Sequence, residues 1–369
     1  MRFSFVYLNN FRNYRKLELE IPEGASLFIG KNAQGKTNLL EAFYYLSSLS
    51  SPRSEKESDL AYWGETGFSL GARIEEAGAT NTIEVETRVI PSVRRNIRIN
   101  DRAAKRQELL SVCPCVYFSP DDLYIAKGSS SVRRSFMDSL LSRQDPVYSQ
   151  QLSRYNSTVS RRNMVLKRAN QDPSWAKSLD SIDEILLNIG SEIIEKRSLL
   201  AEKLDALVKE SYRLISMDGC EIKYISTIGD VPDGITGIRQ QFLTELKNVS
   251  KEERARGVTL IGPHRDELLL TFHGKTFRYF GSQGQQRSVV LGLKMAEAHI
   301  LEETFNTKPV LLLDDVLSEL DSERRTKVVS FCDMGYQILM TSTEAAGVDE
   351  SRFSRFVVEN GTLYTKVLE

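Results

Sequence analysis

Gly30-Lys31-Asn32-Ala33-Gln34-Gly35-Lys36-Thr37 sets two glycines five positions apart, with a lysine and a hydroxyl directly after the second. Such glycines let successive backbone N–H groups curl around an anion, where any Cβ would crowd the ligand. Ser26–Ile29 is a short apolar strand, and Asn38–Leu46 is apolar at helical spacing, so the loop joins strand to helix. The helix N-terminus adds partial positive charge. This spacing predicts a nucleoside triphosphate site from Gly30 to Asn38. Lys36 would reach the β and γ phosphates, and Thr37 would ligate Mg²⁺.

A second acidic element fits the first. Val310-Leu311-Leu312-Leu313 is a continuous apolar run, as expected of a central parallel strand covered on both faces. Asp314 at its carboxyl end would hold the Mg²⁺ shell, and Asp315 could polarise an attacking water. Paired carboxylates in that place also serve as helix caps. The phosphate loop far upstream favours the metal role.

Ser282-Gln283-Gly284-Gln285-Gln286-Arg287 leads straight into a helical run, Ser288 to Glu303. Most NTPases need only the loop and the acidic strand, so a second glycine-containing turn at a helix start is a spare anion site. Ser318-Glu319-Leu320-Asp321 then follows Asp315 closely. Together these elements resemble the ABC-type ATPases, with Ser282–Gln286 as the signature, Asp314 as the Walker B aspartate and Ser318–Asp321 as the D-loop. Within them the chain is similar to the bacterial RecF family. That likeness rests on Leu8-Asn9-Asn10-Phe11-Arg12-Asn13-Tyr14, the phosphate loop, Thr259-Leu260-Ile261-Gly262-Pro263-His264-Arg265-Asp266 and Leu312-Leu313-Asp314-Asp315. It runs from Arg2 to Val367.

The resemblance implies a cytoplasmic protein of DNA recombination, replication, repair and the SOS response. It also implies a homodimer closed by ATP, with the Ser282 hydroxyl and the backbone of Gln283, Gly284 and Gln285 meeting the partner subunit's γ-phosphate. Arg12 would add a phosphate contact. DNA (duplex and single-strand/duplex junctions), RecR and RecO are the implied partners, and a weak DNA-stimulated ATPase the implied activity. Ser282, Lys36 and Asp315 are then the catalytic set. Where transporter ATPases carry glutamate, Asp315 is one methylene shorter and predicts slow hydrolysis that times release. Transporters also place a histidine after the D-loop, where this chain has Met340-Thr341-Ser342-Thr343. The role of His264, Arg265 and Asp266 stays open between a buried cluster tying the lobes and a DNA contact.

The loop and the acidic strand lie farther apart than a simple nucleotide fold requires, so something is inserted. Strand patterns, including Thr82–Ile90 and Arg94–Ile99, reach about Phe118. From Ser131 the pattern turns helical. Leu179, Ile182, Leu186, Ile189, Ile193, Leu200, Leu204 and Leu207 recur at three- and four-residue steps, predicting one helix of about 35–40 residues. Asn170-Gln171-Asp172-Pro173 breaks the run before it, which predicts a short antiparallel hairpin. Strands return at Val258–Ile261 and Leu268–Phe272. The expected fold is α/β: an ABC-type ATPase lobe (1–118 with 256–369) split by a helical lobe (119–255), its arms far shorter than the coiled coils of SMC-type proteins.

Composition bounds the rest. The 369 residues, 41% hydrophobic, allow two sizeable cores. No stretch approaches a membrane span, and Met1–Asn10 lacks the long apolar segment of a signal peptide, so no membrane partner is expected. Four cysteines without paired spacing read as buried thiols, and no metal-ligand cluster suggests a nuclease. Net charge is only −1, yet eight basic residues face two acids from Val132 to Asn170, and seven face one from Arg88 to Arg106. Such local fields attract a phosphate backbone. A solvated helix face is the other reading. Arg133, Arg134, Arg161, Arg162, Lys167 and Arg168 are the expected DNA contacts. A regulatory ATPase that recruits a separate effector and touches DNA weakly remains the alternative.

Overall fold

Val310-Leu311-Leu312-Leu313 is fully buried in a parallel sheet, as its unbroken apolar run requires. The computed structural model describes residues 1–369 except 55, 169–174, 216–218, 317–324, 327–329, 344–351 and 366–369. The described chain divides into two compact units, Met1–Asp122 with Glu297–Glu369, and Leu123–Ala296.

The first unit contains two six-stranded sheets. In one, the order is Thr362–Thr365, Phe353–Glu359, Ala25–Ile29, Ile338–Ser342, Val310–Asp314, Cys115–Phe118, parallel except for the Thr362–Thr365 edge. Ile338–Ser342 separates the strand before the phosphate loop from the acidic strand, in register through Thr341 opposite both Phe28 and Asp314. The other sheet is an antiparallel meander of Tyr14–Glu20, Arg2–Phe11, Gly67–Glu76, Ala79–Arg88, Arg94–Ile99 and Arg102–Ala103. The helix Lys36–Ser48 joins the two: its Leu39, Leu40, Phe43 and Leu46 share one core with Phe3, Val6 and Leu8 of the meander and Leu312 and Leu339 of the parallel sheet. Burial of this whole face fixes where the helix starts, and hence the loop.

The second unit is mainly helical. Helix Pro146–Arg168 packs against the 41-residue helix Trp175–Ile215. Asp145 pairs with Lys196, Gln151 with Glu192 and Arg162 with Asp183, so rising numbers meet falling ones and the pair is antiparallel. Leu179, Ile182, Leu186, Ile189, Ile193, Leu200 and Leu204 are buried as the periodicity requires. The break at 170–173 lies outside the described residues. No described helix is long and apolar enough to cross a membrane.

Two expectations need correction. Residues 256–296, assigned above to the ATPase lobe, belong to the helical unit, because Glu267–Phe272 pairs with Cys220–Ile225 and packs on helix Ser130–Gln144. Val258–Ile261 forms no strand. Side chains take its backbone N–H groups instead: Asn163 Oδ1 accepts from Thr259 at 2.7 Å and Glu253 Oε1 from Leu260 at 2.8 Å.

That segment leads to a buried polar cluster inside the second unit. Asp266 accepts from Ser226 Oγ at 3.0 Å, Thr227 N at 2.7 Å and the Tyr224 hydroxyl. His264 Nε2 donates to the Thr259 carbonyl at 3.3 Å, so Nδ1 accepts from the Tyr155 hydroxyl at 2.9 Å. Burial lowers the His264 pKa from 6.5 to about 4. A neutral-only histidine stabilises the fold above its unfolded pKa, and that stability is lost as pH falls toward the folded value. Wild type should therefore lose on the order of 3 kcal/mol more than His264→Gln between pH 7 and pH 4. Urea denaturation at the two pH values checks this; equal losses would show that His264 does not carry the acid sensitivity.

Candidate active site

The phosphate loop leaves the strand Ala25–Ile29 and enters the helix Lys36–Ser48. Lys36 Nζ is folded back over it, donating to Gly30 O at 2.6 Å and Lys31 O at 2.9 Å. Burial lowers the lysine pKa, while the charges of Asp315 and Asp314 oppose that shift. Both glycines are required by protein neighbours as well as by any ligand. A Cβ on Gly30 would stand 2.3 Å from the Val358 carbonyl oxygen, and one on Gly35 (φ 112°) would stand 2.5 Å from the Asn13 amide.

Two distant segments pin the loop from outside. Gln34 O accepts from Asn13 Nδ2 at 3.1 Å and from Gly361 N at 3.0 Å, and Gln34 Oε1 accepts from Asn360 N at 2.7 Å. The Tyr14 hydroxyl donates to Gly35 O at 3.0 Å, and Asn38 donates to Asn13 Oδ1 at 2.8 Å. Lys31, Asn32 and Ala33 at the crest stay exposed.

Asp314 ends the acidic strand beside this loop. Its Oδ1 accepts from Thr37 Oγ1 at 2.9 Å and from Thr341 Oγ1 at 2.8 Å, while Oδ2 accepts from the Tyr117 hydroxyl at 2.9 Å. The expected metal ligands Thr37 and Asp314 are thus in contact. Their hard oxygen donors suit Mg²⁺. Burial, then the Asp314 charge, raises the Tyr117 pKa, so the phenol stays a donor. Asp315 has φ 51°, in the left-handed region, and its N–H donates to Thr341 Oγ1 at 2.9 Å. A backbone held there is strained and persists where the surroundings over-determine it. Thr341 therefore orients both aspartates. The sequence singled it out only as a place without histidine, and it gave no role to Tyr117.

Arg12, also at φ 52°, grips the wholly buried Glu41. Its Nε and Nη2 each donate at 2.7 Å to the carboxylate, and Nη1 donates to Asp59 O at 2.7 Å. It lines a cleft of about 850 Å³ together with Ala33, Asn38 and Arg53. Glu41 passed unnoticed in the sequence because it sits among apolar helix residues.

Ser282 lies in the second unit, where it caps the helix Gln283–Phe305. Its N–H donates to Gln285 Oε1 at 2.8 Å, and its hydroxyl accepts from Gln285 N at 3.2 Å. This is a capping box, and it leaves Ser282 and Gln283 exposed at a positive helix end, with Gly284 and Gln285 half-buried. Ser318–Asp321 lies outside the described residues.

The expected DNA contacts divide. Arg133 is buried, with Nε and Nη2 each 2.7 Å from the Glu267 carboxylate. Arg162 is 2% exposed and lies between Asp183 at 2.6 Å and Glu253 at 2.7 Å. Neither is available to a ligand: Arg133 is held by the half-buried Glu267, and Arg162 neutralises the buried Glu253. Arg134 is half-buried and donates to Asp266 O. Arg161, Lys167 and Arg168 are exposed, as is Arg154. The second basic run is diluted by its sheet: Arg98 stands opposite Glu84, Asn96 opposite Glu86, and Arg95 pairs with Glu57.

The sequence family described as RecF/RecN/SMC N terminal domain matches residues 3–360. The chain belongs to that family. Within it, the chain is 36% identical to the DNA replication and repair protein RecF of Natranaerobius thermophilus, over 93% of this chain and 91% of that protein. The RecF of Listeria welshimeri is 33% identical, over 98% and 99% of the two chains. Among solved structures, the recombination mediator protein RecF with ATP, in the RecFOR pathway, superposes with a TM-score of 0.89 at 34% identity, covering 99% of this chain and 97% of that one. The Smc head domain of Pyrococcus furiosus, at 16% identity and a TM-score of 0.53, shares the fold. The RecF-type head ATPase fold expected from the motifs is therefore the fold of this chain.

The buried pairs predict a clean split between neighbouring arginines. Arg162→Ala, which orphans Glu253 and Asp183, should cost about 3–5 kcal/mol of folding stability, whereas Arg161→Ala should stay within about 0.5 kcal/mol. Denaturant melts of the two variants check this.

Proposed function

We propose that this protein is an ATP-gated, DNA-binding homodimer of recombination repair, with slow hydrolysis timing its release and assisting recombinase loading at gaps. The observation that carries the reading is the contact between Thr37 and Asp314 at 2.9 Å, beside a buried Lys36. A loop lysine, a hydroxyl and a carboxylate so placed are the working parts of a nucleotide site, and the RecF relative solved with ATP supports the nucleotide's identity. Mg²⁺, when bound by Thr37 and Asp314, would screen phosphate charge. Lys36 leaves the carbonyls of Gly30 and Lys31 to donate to the phosphates. Asp315 orients the attacking water with a short carboxylate carried on a strained backbone.

The exposed Ser282 turn supports a shared site. Ser282, Gln283, Gly284 and Gln285 of one subunit would meet the γ-phosphate held by the other, so that neither subunit alone neutralises the charge. Light scattering should then show a monomer-to-dimer shift with Mg²⁺-ATP, lost in Lys36→Met and in Ser282→Arg. Asp315→Asn should hold the dimer longer than wild type. ATP binding without any association would sink the shared site.

DNA contact rests on one helix. Pro146–Arg168 contains no Asp or Glu, and its exposed Arg154, Arg161 and Arg168 recur every seven residues. Seven residues are nearly two turns, so the three lie on one face about 10.5 Å apart, with Lys167 beside the last. Duplexes and single-strand/duplex junctions are the proposed ligands; RecR and RecO, suggested by the RecFOR setting of the relative, are the proposed protein partners. Replacing Arg154, Arg161 and Arg168 by glutamate should weaken duplex binding and flatten log K against log salt by roughly one unit per lost phosphate contact, leaving ATP affinity unchanged. An unaltered salt slope would move the DNA surface elsewhere.

A further inference from the structure

Glu41 lies in the helix that begins at the phosphate loop, among Leu39, Leu40, Ala42 and Phe43, and has no solvent exposure. A buried carboxylate is costly to desolvate, and apolar residues of similar size fold as well or better in such places. Stability alone gives the fold little reason to keep the Arg12–Glu41 pair in place of two apolar residues, although removing one partner would leave the other charge uncompensated. The geometry around it points toward the ligand instead.

The carboxylate receives Nε and Nη2 of Arg12 side by side, a bidentate fork that fixes the guanidinium plane. Ser51 Oγ donates to the same carboxylate, and the Asp59 carbonyl takes Nη1 of the arginine. Three of the five N–H groups of Arg12 are therefore committed to protein acceptors. One N–H on each Nη remains for the cleft that Arg12 lines with Ala33 and Asn38, at the crest and the end of the loop. The Arg12 backbone is itself held at φ 52°, with its N–H on Leu60 O at 2.7 Å. Strain at the backbone and a buried acid at the side chain both serve to place one cation beside the loop.

We propose that Glu41 is a positioning residue: it holds the Arg12 guanidinium so that its two outward N–H groups meet a phosphate oxygen of the nucleotide bound by Gly30–Thr37. This rests on the nucleotide reading above. Because Glu41 and Thr37 share a helix, four residues apart, the arginine is referenced to the same rigid element as the loop.

The test is calorimetric titration of Mg²⁺-ATP into the full chain, with melting temperatures recorded in parallel. Arg12→Ala and Glu41→Gln should each weaken ATP binding on the order of tenfold. The double variant should be no weaker than Arg12→Ala alone, since Glu41 acts only through the arginine. Glu41→Asp keeps the charge and withdraws it by one methylene, so it should show a smaller loss, and it serves if Glu41→Gln does not fold. A lower melting temperature with wild-type affinity, in either Glu41 variant, would overturn the proposal. Losses that add in the double variant would do the same. Failure of the underlying site is distinguishable: wild type would then bind no better than Lys36→Met.

Discussion

Thr37 and Asp314 touch at 2.9 Å although most of the chain lies between them, and the rest of the site depends on that contact. It exists because one strand, Ile338–Ser342, pairs in parallel with both Ala25–Ile29 and Val310–Asp314. Parallel strands end on the same edge, so the loop and the acid emerge together. Thr341, in register with Asp314, then donates its hydroxyl to that carboxylate and receives the Asp315 amide. A single hydroxyl in the intervening strand thus ties sheet register to the orientation of both aspartates.

Much of this was legible from residue types. Glycines at a strand-to-helix junction point to an anion loop, and with that loop upstream an unbroken apolar strand ending in Asp-Asp reads as its acidic partner, so both segments could be named in advance. The long helix was legible because burial repeats at helical steps from Leu179 to Leu204. Contacts that depend on tertiary neighbours were not. Glu41, Tyr117 and Thr341 look ordinary in their own segments, and their partners lie 29, 197 and 27 residues away.

Charge was the least legible property. Eight cations along one segment suggest a single surface, but a helix turns them to different sides. Arg162 points inward to Asp183 and Glu253, while its neighbour Arg161 faces solvent. On strands the error is different, because the compensating acids come from the adjacent strand, as Glu84 does for Arg98. Counting along the sequence cannot see either effect. The exposed remainder is smaller and better ordered than the count implied.

The clamp on Gln34 has a consequence for the order in which the protein is made. Its side chain takes the Asn360 amide, 326 residues downstream. At translation rates of about 5–20 residues per second, that partner emerges roughly 16–65 s after the loop does. Asn13 and Tyr14 emerge before the loop, but both strands that flank Ala25–Ile29 in the sheet, Ile338–Ser342 and Phe353–Glu359, emerge late as well. The loop's final fastening waits for the last hairpin, and an unfinished chain is thereby kept from presenting a completed loop.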